Sequence, residues 1–270
     1  MPTRTDRLIA KAQKEAGKWL ATATGGFYFL EGQNPRDITI VDVALGLARK
    51  CRYSGNVRID QEHYSVAEHS DLMARHFEKD PSVFLGQEPM KLEDYMKVKL
   101  HDATEFVFPD VPTPIKDLFP VFRTVEGYHD EKIESAFIPN PGAVLITKKQ
   151  VKELDIRIRI DERALLIAEP AYSAGVKEGG MKPLNVDIKC LDWREAGWSF
   201  LEDFVRAVDL YPARDPENQE RAMEHRNAAQ KFLQQNPRPM TRNEMAERIQ
   251  ELEAQVRMLT SESNYDGPGM

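Results

Sequence analysis

The feature that most constrains the fold is the stretch KVKLHDATEFVFPDVPTPIKDL at residues 97–118. Its first half has helical spacing, and Pro109 is expected to end that helix before a stiff, proline-rich loop. Four side chains at positions i, i+3, i+4 and i+7 are predicted to share one helical face: Val98, His101, Asp102 and Glu105. An imidazole beside two carboxylates suits a divalent metal ion with a general acid or base next to it. The stretch therefore predicts a metal site.

Length and charge narrow the class of protein. The chain has 270 residues, enough for one large domain or one domain with appendages. Its formal charge of −7 argues against non-specific nucleic-acid binding, so no nucleic-acid partner is expected. The two cysteines, Cys51 and Cys190, form no CxxC pattern, and the sequence has neither an N-terminal signal core nor an apolar run of about 18 residues. We therefore expect a cytoplasmic protein (in the host cytoplasm if it is viral) with no membrane partner.

Hydrophobic periodicity predicts an all-α domain over residues 1–211. The predicted helices cover residues 6–20, 40–51, 64–78, 120–138, 147–168 and 193–209. Ser65 is a good N-cap for the third of these helices, and Glu68 completes a capping-box pattern. Gly25 and Gly26, which precede the sequence FYFL, allow one short hairpin near residues 24–40.

Residues 212–270 are predicted to form a polar C-terminal extension. A short heptad pattern predicts a helix over about residues 243–260, with a seam formed by Met245, Ile249, Leu252, Val256 and Leu259. We expect this helix to dock on the body of the protein or to pair with a second copy. Residues 260–270 are expected to be disordered.

Candidate metal ligands stand on the inward faces of three predicted helices. They are His69, the pair His101 and Asp102, and Asp155. Asp155 interrupts the apolar stripe of helix 147–168, and a carboxylate that is buried without a partner is strongly destabilising. Asp161 lies near the same stripe and is the alternative ligand. Two imidazoles with two carboxylates suit Mn, Co, Zn, Fe or Ni, whereas Mg prefers all-oxygen ligands and is a candidate only for a second ion.

The order of these residues and the segments around them resemble the HD-domain metal-dependent phosphohydrolases. SVAEHS at residues 65–70 is similar to the segment that carries the first histidine of that family. HDATE at residues 101–105 and DVPTPIK at residues 110–116 are similar, with the same spacing, to the HDASE…GDLPTPVK signature of bacterial 5′-deoxynucleotidases. Residues 21–70 resemble more closely still a phage-type branch that includes the dATP triphosphohydrolases. The resemblance covers roughly residues 20–205.

This resemblance implies an HD-domain helical bundle with a defined set of site residues. The implied metal ligands are His69, His101, Asp102 and Asp155. Glu105 would orient or deprotonate the attacking water, and Asp110 would be a second acid or base. The implied substrate-binding residues are Arg52 and Lys116 at the phosphate and Tyr53 and Phe27 beside the sugar and base. Asn56 replaces a histidine that is frequent in the phage-type branch, and extra residues follow it, which leaves the base preference open.

The resemblance implies an activity, and the residues leave alternatives to it. The expected activity is divalent-metal-dependent hydrolysis of phosphate from deoxynucleoside phosphates, with dNTPs or dATP as substrates, by a protein that is a homo-oligomer. The alternatives are a 5′-deoxynucleotidase acting on dNMPs only and a catalytically inactive HD nucleotide-binding protein. Outside the ligand set, structural roles are also open: turn stabilisation for the carboxylates, solvated charge for Arg52 and Lys116, and core packing for the aromatic rings.

Overall fold

The fold is mainly helical, as predicted. A computed structural model describes residues 3–15, 17–138, 140–174, 180–211, 213 and 215–263. Its helices are α1 (Arg4–Lys14), α2 (Ile40–Arg49), α3 (Val66–Lys79), α4 (Ser82–Leu85), α5 (Leu92–Lys99), α6 (Thr113–Leu118), α7 (Val121–Phe137), α8 (Lys148–Leu166), α9 (Ala171–Ala174), α10 (Trp193–Leu210), α11 (Pro216–Gln235) and α12 (Arg242–Ser263). Short 3₁₀ turns lie at Pro35–Asp37, Arg52–Gly55, Ala103–Phe106 and Pro141–Ala143. Within the described ranges, none of these helices is long and apolar enough to cross a membrane.

Helix α2 lies at the centre of the core. Eight of its ten residues are buried, and its sequence is apolar on most faces, as expected of a helix surrounded by others. Helix α10 packs along it, and the 3₁₀ turn Ala103–Phe106 approaches it at Gly46. A Cβ atom at Gly46 would lie 2.7 Å from Phe106 Cβ, so this close approach requires glycine. The contact places the segment that follows His101 and Asp102 directly against the core.

Five of the six predicted helices form with nearly the predicted bounds: α2, α3, α7, α8 and α10. Ser65 caps α3 as predicted, because its Oγ accepts a hydrogen bond from the Glu68 backbone N–H at 3.1 Å. The Glu68 carboxylate is used elsewhere instead of closing the predicted capping box. It accepts the backbone N–H groups of Lys189, Cys190 and Leu191 at 2.7 to 3.1 Å. Glu68 therefore ties the segment before α10 to α3.

The predicted helix over residues 6–20 is wrong beyond α1. Gly17 has a φ of 79°, which turns the chain out of the helical path, and Trp19 begins a strand instead. The strands β1 (Trp19–Ala21) and β2 (Phe27–Phe29) pair antiparallel, and the Trp19 ring packs edge-to-face on Phe27 with 4.8 Å between ring centroids. The hairpin that the sequence allowed near residues 24–40 is therefore present, but it spans residues 19–29.

The single helix predicted across the central stretch is also wrong, since α5 ends at Lys99. The next residue, Leu100, has φ −104° and ψ 14°, and the chain then turns tightly into the 3₁₀ segment Ala103–Phe106. The Phe106 ring packs edge-to-face on Tyr28 of the hairpin at 5.2 Å between centroids. Because Phe106 is held by both the hairpin and α2, tertiary packing outweighs the local helical spacing.

A buried ionic cluster, here called the Lys99 cluster, joins α3, α5 and α10. Lys99 is fully buried, and its ammonium group contacts Asp71, lies 3.4 Å from Asp203 Oδ2 and stands 3.9 Å from the centre of the Phe200 ring. The Tyr95 hydroxyl donates to the carboxylate of Asp203. The positive charge of Lys99 and the negative charges of the two aspartates compensate one another, so the cluster is a structural element of the core.

The chain divides into two compact units, Met1–Asn236 and Pro237–Met270. The first unit extends past residue 211, where the sequence placed the end of the first domain. Helix α11 accounts for this difference, because it packs on α10 and buries Ala222 and Ala229.

The second unit contains α12, which confirms the helix predicted over about residues 243–260. The helix continues through residues 260–263, which were predicted to be disordered. Of the predicted seam, Met245, Ile249 and Leu252 are exposed. The side chains of Val256 and Leu259, and residues 264–270, lie outside the described part of the chain.

Candidate metal site

Three elements of the fold bring the four predicted ligand residues together. They are His69 on α3, His101 and Asp102 in the turn after α5, and Asp155 on α8. Each residue offers one ligand atom, and all of these atoms lie within 4.8 Å of one another. The four residues, here called the metal group, could hold a metal ion.

The distances between the donor atoms fit a single ion. His69 Nε2 lies 3.2 Å from His101 Nε2. From His69 Nε2, the distance is 3.6 Å to Asp102 Oδ2 and 3.7 Å to Asp155 Oδ1. Two ligands that are each about 2.1 Å from one ion lie about 3 to 4.2 Å apart, as the coordination angle widens from about 90° to about 180°. The residues present therefore fit a divalent ion that accepts both nitrogen and oxygen ligands.

Both imidazoles are oriented with Nε2 toward the metal group. His69 Nδ1 donates to Glu162 Oε1 at 2.5 Å, and His101 Nδ1 donates to the Val98 carbonyl at 2.9 Å. Because an ionised carboxylate and a carbonyl can only accept, each ring carries its proton on Nδ1. The lone pair of the neutral ring is then on Nε2, the atom that faces the other ligands.

Neighbouring charges shift the pKa values within the metal group. Burial alone would raise the pKa of Asp102, but the adjacent His101 and the Arg52 guanidinium hold it well below its usual value. Burial and the charge of Asp102 would likewise raise the pKa of Asp155, but the two histidines in their protonated form, together with the Lys152 ammonium, outweigh them and lower it. Both carboxylates are therefore ionised at neutral pH, as metal ligands must be.

Glu162 is a site residue that the sequence analysis missed. It is fully buried on α8, and its carboxylate accepts hydrogen bonds from Tyr53 OH at 2.8 Å and Tyr64 OH at 2.9 Å as well as from His69. Burial would raise its pKa, but the Arg52 guanidinium and the hydrogen bonds that it accepts from His69 and Tyr53 lower it to about 2. A signal was present in the sequence, because Glu162 follows Asp155 by seven residues and so shares its face of the helix.

Arg52 lies within this cluster of carboxylates. Its Nη1 is 3.1 Å from Asp102 Oδ2, and its Nη2 is 3.4 Å from Glu162 Oε2 and 4.0 Å from Asp155 Oδ1. Burial would lower the pKa of the guanidinium, but the three carboxylates raise it well above its usual value. The alternative of a solvated surface charge is therefore wrong, since Arg52 is buried as the counter-charge of the metal group. Its contact with a phosphate stays a prediction.

The turn that follows Arg52 has a left-handed backbone. Tyr53 and Ser54 have φ values of 56° and 52°, which cost a non-glycine residue about 1 kcal/mol or more each. The Tyr53 N–H donates to Asp110 Oδ2 at 3.1 Å, and the Tyr53 hydroxyl reaches Glu162. Asp110 and Tyr53 thus hold the turn between the proline-rich loop and α8. Their predicted contacts with water or substrate stay predictions.

Glu105 is a buried carboxylate in the turn that follows His101 and Asp102. It lies in the 3₁₀ turn three residues after Asp102 and is 6% exposed. Its Oε2 is buried and has no hydrogen-bond partner among the described residues. Burial, followed by the charges of Asp102 and Asp110, raises the pKa of Glu105 well above its usual value. A carboxylate with a raised pKa accepts a proton more readily than an exposed glutamate does.

Two lysines bring positive charge toward the metal group. Lys116 Nζ pairs with Glu126 Oε1 at 2.7 Å, and although burial would lower its pKa, this pair and nearby carboxylates raise it. Lys152 was not singled out from the sequence. Its Nζ lies 2.6 Å from Asp155 Oδ2, and 62% of its side chain is exposed. Both ammonium groups are candidates for contact with an anionic substrate.

Two residues proposed from the sequence occupy structural positions. Asp161 accepts the backbone N–H groups of Leu184 at 2.9 Å and Asn185 at 3.1 Å, so it fastens the segment after residue 180 to α8. The alternative that Asp161 replaces Asp155 as a ligand is therefore wrong. Phe27 lies in β2, is half-buried and packs on the tryptophan of β1, so its structural contact is within the hairpin; its contact with substrate stays a prediction.

Comparison with known proteins finds relatives whose function is not stated. No protein-family model matches the chain. The chain is similar to the uncharacterized protein YfdR of Escherichia coli strain K12, with 28% identity over 166 residues that cover 62% of this chain and 78% of YfdR. It is also similar to the uncharacterized protein RCAP_rcc00048 of Rhodobacter capsulatus, with 37% identity over 99 residues, 36% of this chain and 46% of that protein.

Proposed function

We propose that this protein is a divalent-metal-dependent phosphohydrolase that removes phosphate from deoxynucleoside phosphates, with dNTPs such as dATP as the preferred substrates. The observation that carries the proposal is the convergence of the metal group beside Glu105, whose Oε2 is buried and lacks a hydrogen-bond partner among the residues described. The substrate class is supported by the resemblance of residues 101–116 to the deoxynucleotidase signature.

The side chains of the site have distinct tasks in this reaction. His69, His101, Asp102 and Asp155 would hold the ion. A bound divalent ion supplies Lewis acidity toward a phosphate oxygen and lowers the pKa of water. Glu105 orients the attacking water and accepts its proton, for which its raised pKa suits it. Lys116 and Lys152 offset negative charge on the phosphate, and Arg52 keeps the ligand carboxylates ionised.

Product analysis tests the activity and its alternatives. The purified protein is incubated with Mn²⁺, Co²⁺ or Mg²⁺ and with each dNTP and dNMP, and phosphate, pyrophosphate, triphosphate and nucleoside are resolved. Nucleoside plus triphosphate from a dNTP is the expected result and indicates attack at the α-phosphate. Phosphate from dNMPs alone indicates a 5′-deoxynucleotidase, and dNTP binding without any product indicates an inactive nucleotide-binding protein.

The variant Glu105→Gln tests the role of the general base. The amide has the size of the carboxylate but cannot accept the proton, so kcat is expected to fall by about 10²- to 10⁴-fold while dNTP binding changes little. Glu88→Gln, at an exposed glutamate in the loop after α4, is the control and should keep full activity. A Glu105→Gln protein with wild-type kcat would show that another group takes the proton.

A further inference from the structure

Glu162 makes four polar contacts with side chains around the metal group. Its Oε1 receives His69 Nδ1 at 2.5 Å and Tyr64 OH at 2.9 Å, and its Oε2 receives Tyr53 OH at 2.8 Å and lies 3.4 Å from Arg52 Nη2. A carboxylate offers about four lone-pair positions. Three of them accept these hydrogen bonds, and the Arg52 guanidinium lies beside the carboxylate as an ion pair. The side chain is also fully buried, so the carboxylate cannot turn toward solvent.

We propose that Glu162 is the positioning residue of the metal centre, and that it fixes both the tautomer and the direction of His69. The inference rests on the metal-binding part of the proposed function. Because Glu162 can only accept, it requires the proton of His69 to be on Nδ1. The lone pair is then on Nε2, which lies 3.2 Å from His101 Nε2 and 3.7 Å from Asp155 Oδ1. A histidine ligand that is held in this way binds a metal more strongly than one free to rotate.

The arrangement of α8 supports this assignment. Asp155 and Glu162 are seven residues apart on this helix, so one rigid element supplies a ligand and, two turns later, the group that orients the first ligand on α3. The contact between Glu162 and His69 therefore also sets the position of α3 relative to α8 at the metal group. This geometry is a reason for burying a charged carboxylate that does not itself belong to the ligand set.

The contacts that hold Glu162 come from a second part of the chain. Arg52 and Tyr53 belong to the left-handed turn, and Tyr64 lies just before the N-cap of α3. Removing the Tyr64 hydroxyl would free one lone pair of the carboxylate without changing any ligand. Removing this hydroxyl is therefore a milder way to disturb the contact between Glu162 and His69 than replacing Glu162 itself.

The experiment measures binding of Co²⁺ alone to the full chain, prepared metal-free by chelation, using calorimetric titration and the visible absorption bands of the bound ion. Glu162→Gln is expected to weaken Co²⁺ binding by about 10- to 100-fold and to change those bands. Tyr64→Phe is expected to cause a smaller loss. Tyr95→Phe is the matched control, since it removes a buried tyrosine hydroxyl that donates to a carboxylate of the Lys99 cluster. It should lower the melting temperature but leave Co²⁺ affinity within about twofold of wild type.

Melting in EDTA shows whether each variant is folded before metal is added. If Glu162→Gln does not fold, Tyr64→Phe decides the question. Wild-type affinity in both variants, or losses no larger than that of Tyr95→Phe, would overturn the inference, and so would a wild-type protein that does not bind Co²⁺. A wild type that binds Co²⁺ but hydrolyses no nucleotide, with weaker binding in Glu162→Gln, would refute the proposed function and leave this inference standing.

Discussion

Replacing Gly46 by alanine should destabilise the protein through one contact between α2 and the turn that carries Glu105. The added methyl group would lie 2.7 Å from Phe106 Cβ, 2.9 Å from the Phe106 carbonyl oxygen and 3.0 Å from its Cα. Ordinary contact begins at about 3.4 Å, so the two elements must separate by about 0.7 Å. Two of the three atoms belong to the backbone, and rotation of a side chain therefore cannot relieve the overlap.

The size of the effect follows from two opposing contributions to the free energy of unfolding. Overpacking of this kind costs about 1 to 3 kcal/mol. Alanine stabilises a helix interior by about 0.5 to 1 kcal/mol relative to glycine. Because the overlap involves backbone atoms, we take the upper part of the overpacking range, about 2 to 3 kcal/mol, and the expected net loss is about 1 to 2.5 kcal/mol. Because the displaced turn carries Glu105, kcat should also fall, on the order of tenfold or more.

Urea unfolding and steady-state kinetics measure both effects, and Gly127→Ala in α7 is the matched control. A Cβ at Gly127 would meet no atom within 4 Å, so the same substitution should stabilise the protein by about 0.5 to 1 kcal/mol and leave kcat unchanged. If Gly46→Ala were as stable as wild type while Gly127→Ala behaved as expected, the close approach of Gly46 to Phe106 would be refuted.

Two further predictions concern charge. Lys152→Ala removes the exposed ammonium beside Asp155 and should raise KM for dNTPs by about 2- to 10-fold. Lys148→Ala, at an exposed lysine at the start of the same helix, is its control, and equal KM values in both variants would contradict a contact with phosphate. Asp130 has a pKa raised to about 6, mainly by burial. The folded state therefore holds this proton more tightly than the unfolded state, so its contribution to stability is present below about pH 4 and is lost as the pH rises through 6. In urea unfolding, the free energy of unfolding of wild type should fall between pH 4 and pH 7 by about 2 kcal/mol more than that of Asp130→Asn, which cannot titrate. If the two proteins showed the same dependence of stability on pH, the raised pKa of Asp130 would be contradicted.

The candidate ligands could be found from the sequence because each stands in a local pattern. His101 and Asp102 are adjacent in a segment that resembles a known signature, and Asp155 interrupts an apolar stripe. Local patterns also marked where helices begin. Ser65 caps α3, and Thr147 forms a capping box with Gln150 at the start of α8.

The surroundings of the ligands could not be found in the same way. Arg52 was expected at a phosphate, which stays a prediction, and its position among three carboxylates from distant parts of the chain was not foreseen. Glu162 has an ordinary position in a charged helix, and its burial appears only when α3 and α8 are placed side by side. Asp161, its neighbour in sequence, has the same charge and a purely structural contact.

Short-range interactions determine which segments of this protein become helices and which side chains share a face, because caps, turns and periodicity act within a few residues. The sequence by itself therefore determined α2, α3, α8 and α10 and the identity of the candidate ligands. The end of α5 at Lys99 was decided by tertiary structure, since Phe106 packs against Gly46 and Tyr28. The buried pair of Arg52 and Glu162 was decided in the same way, because only a folded core removes both charges from water and makes each the partner of the other.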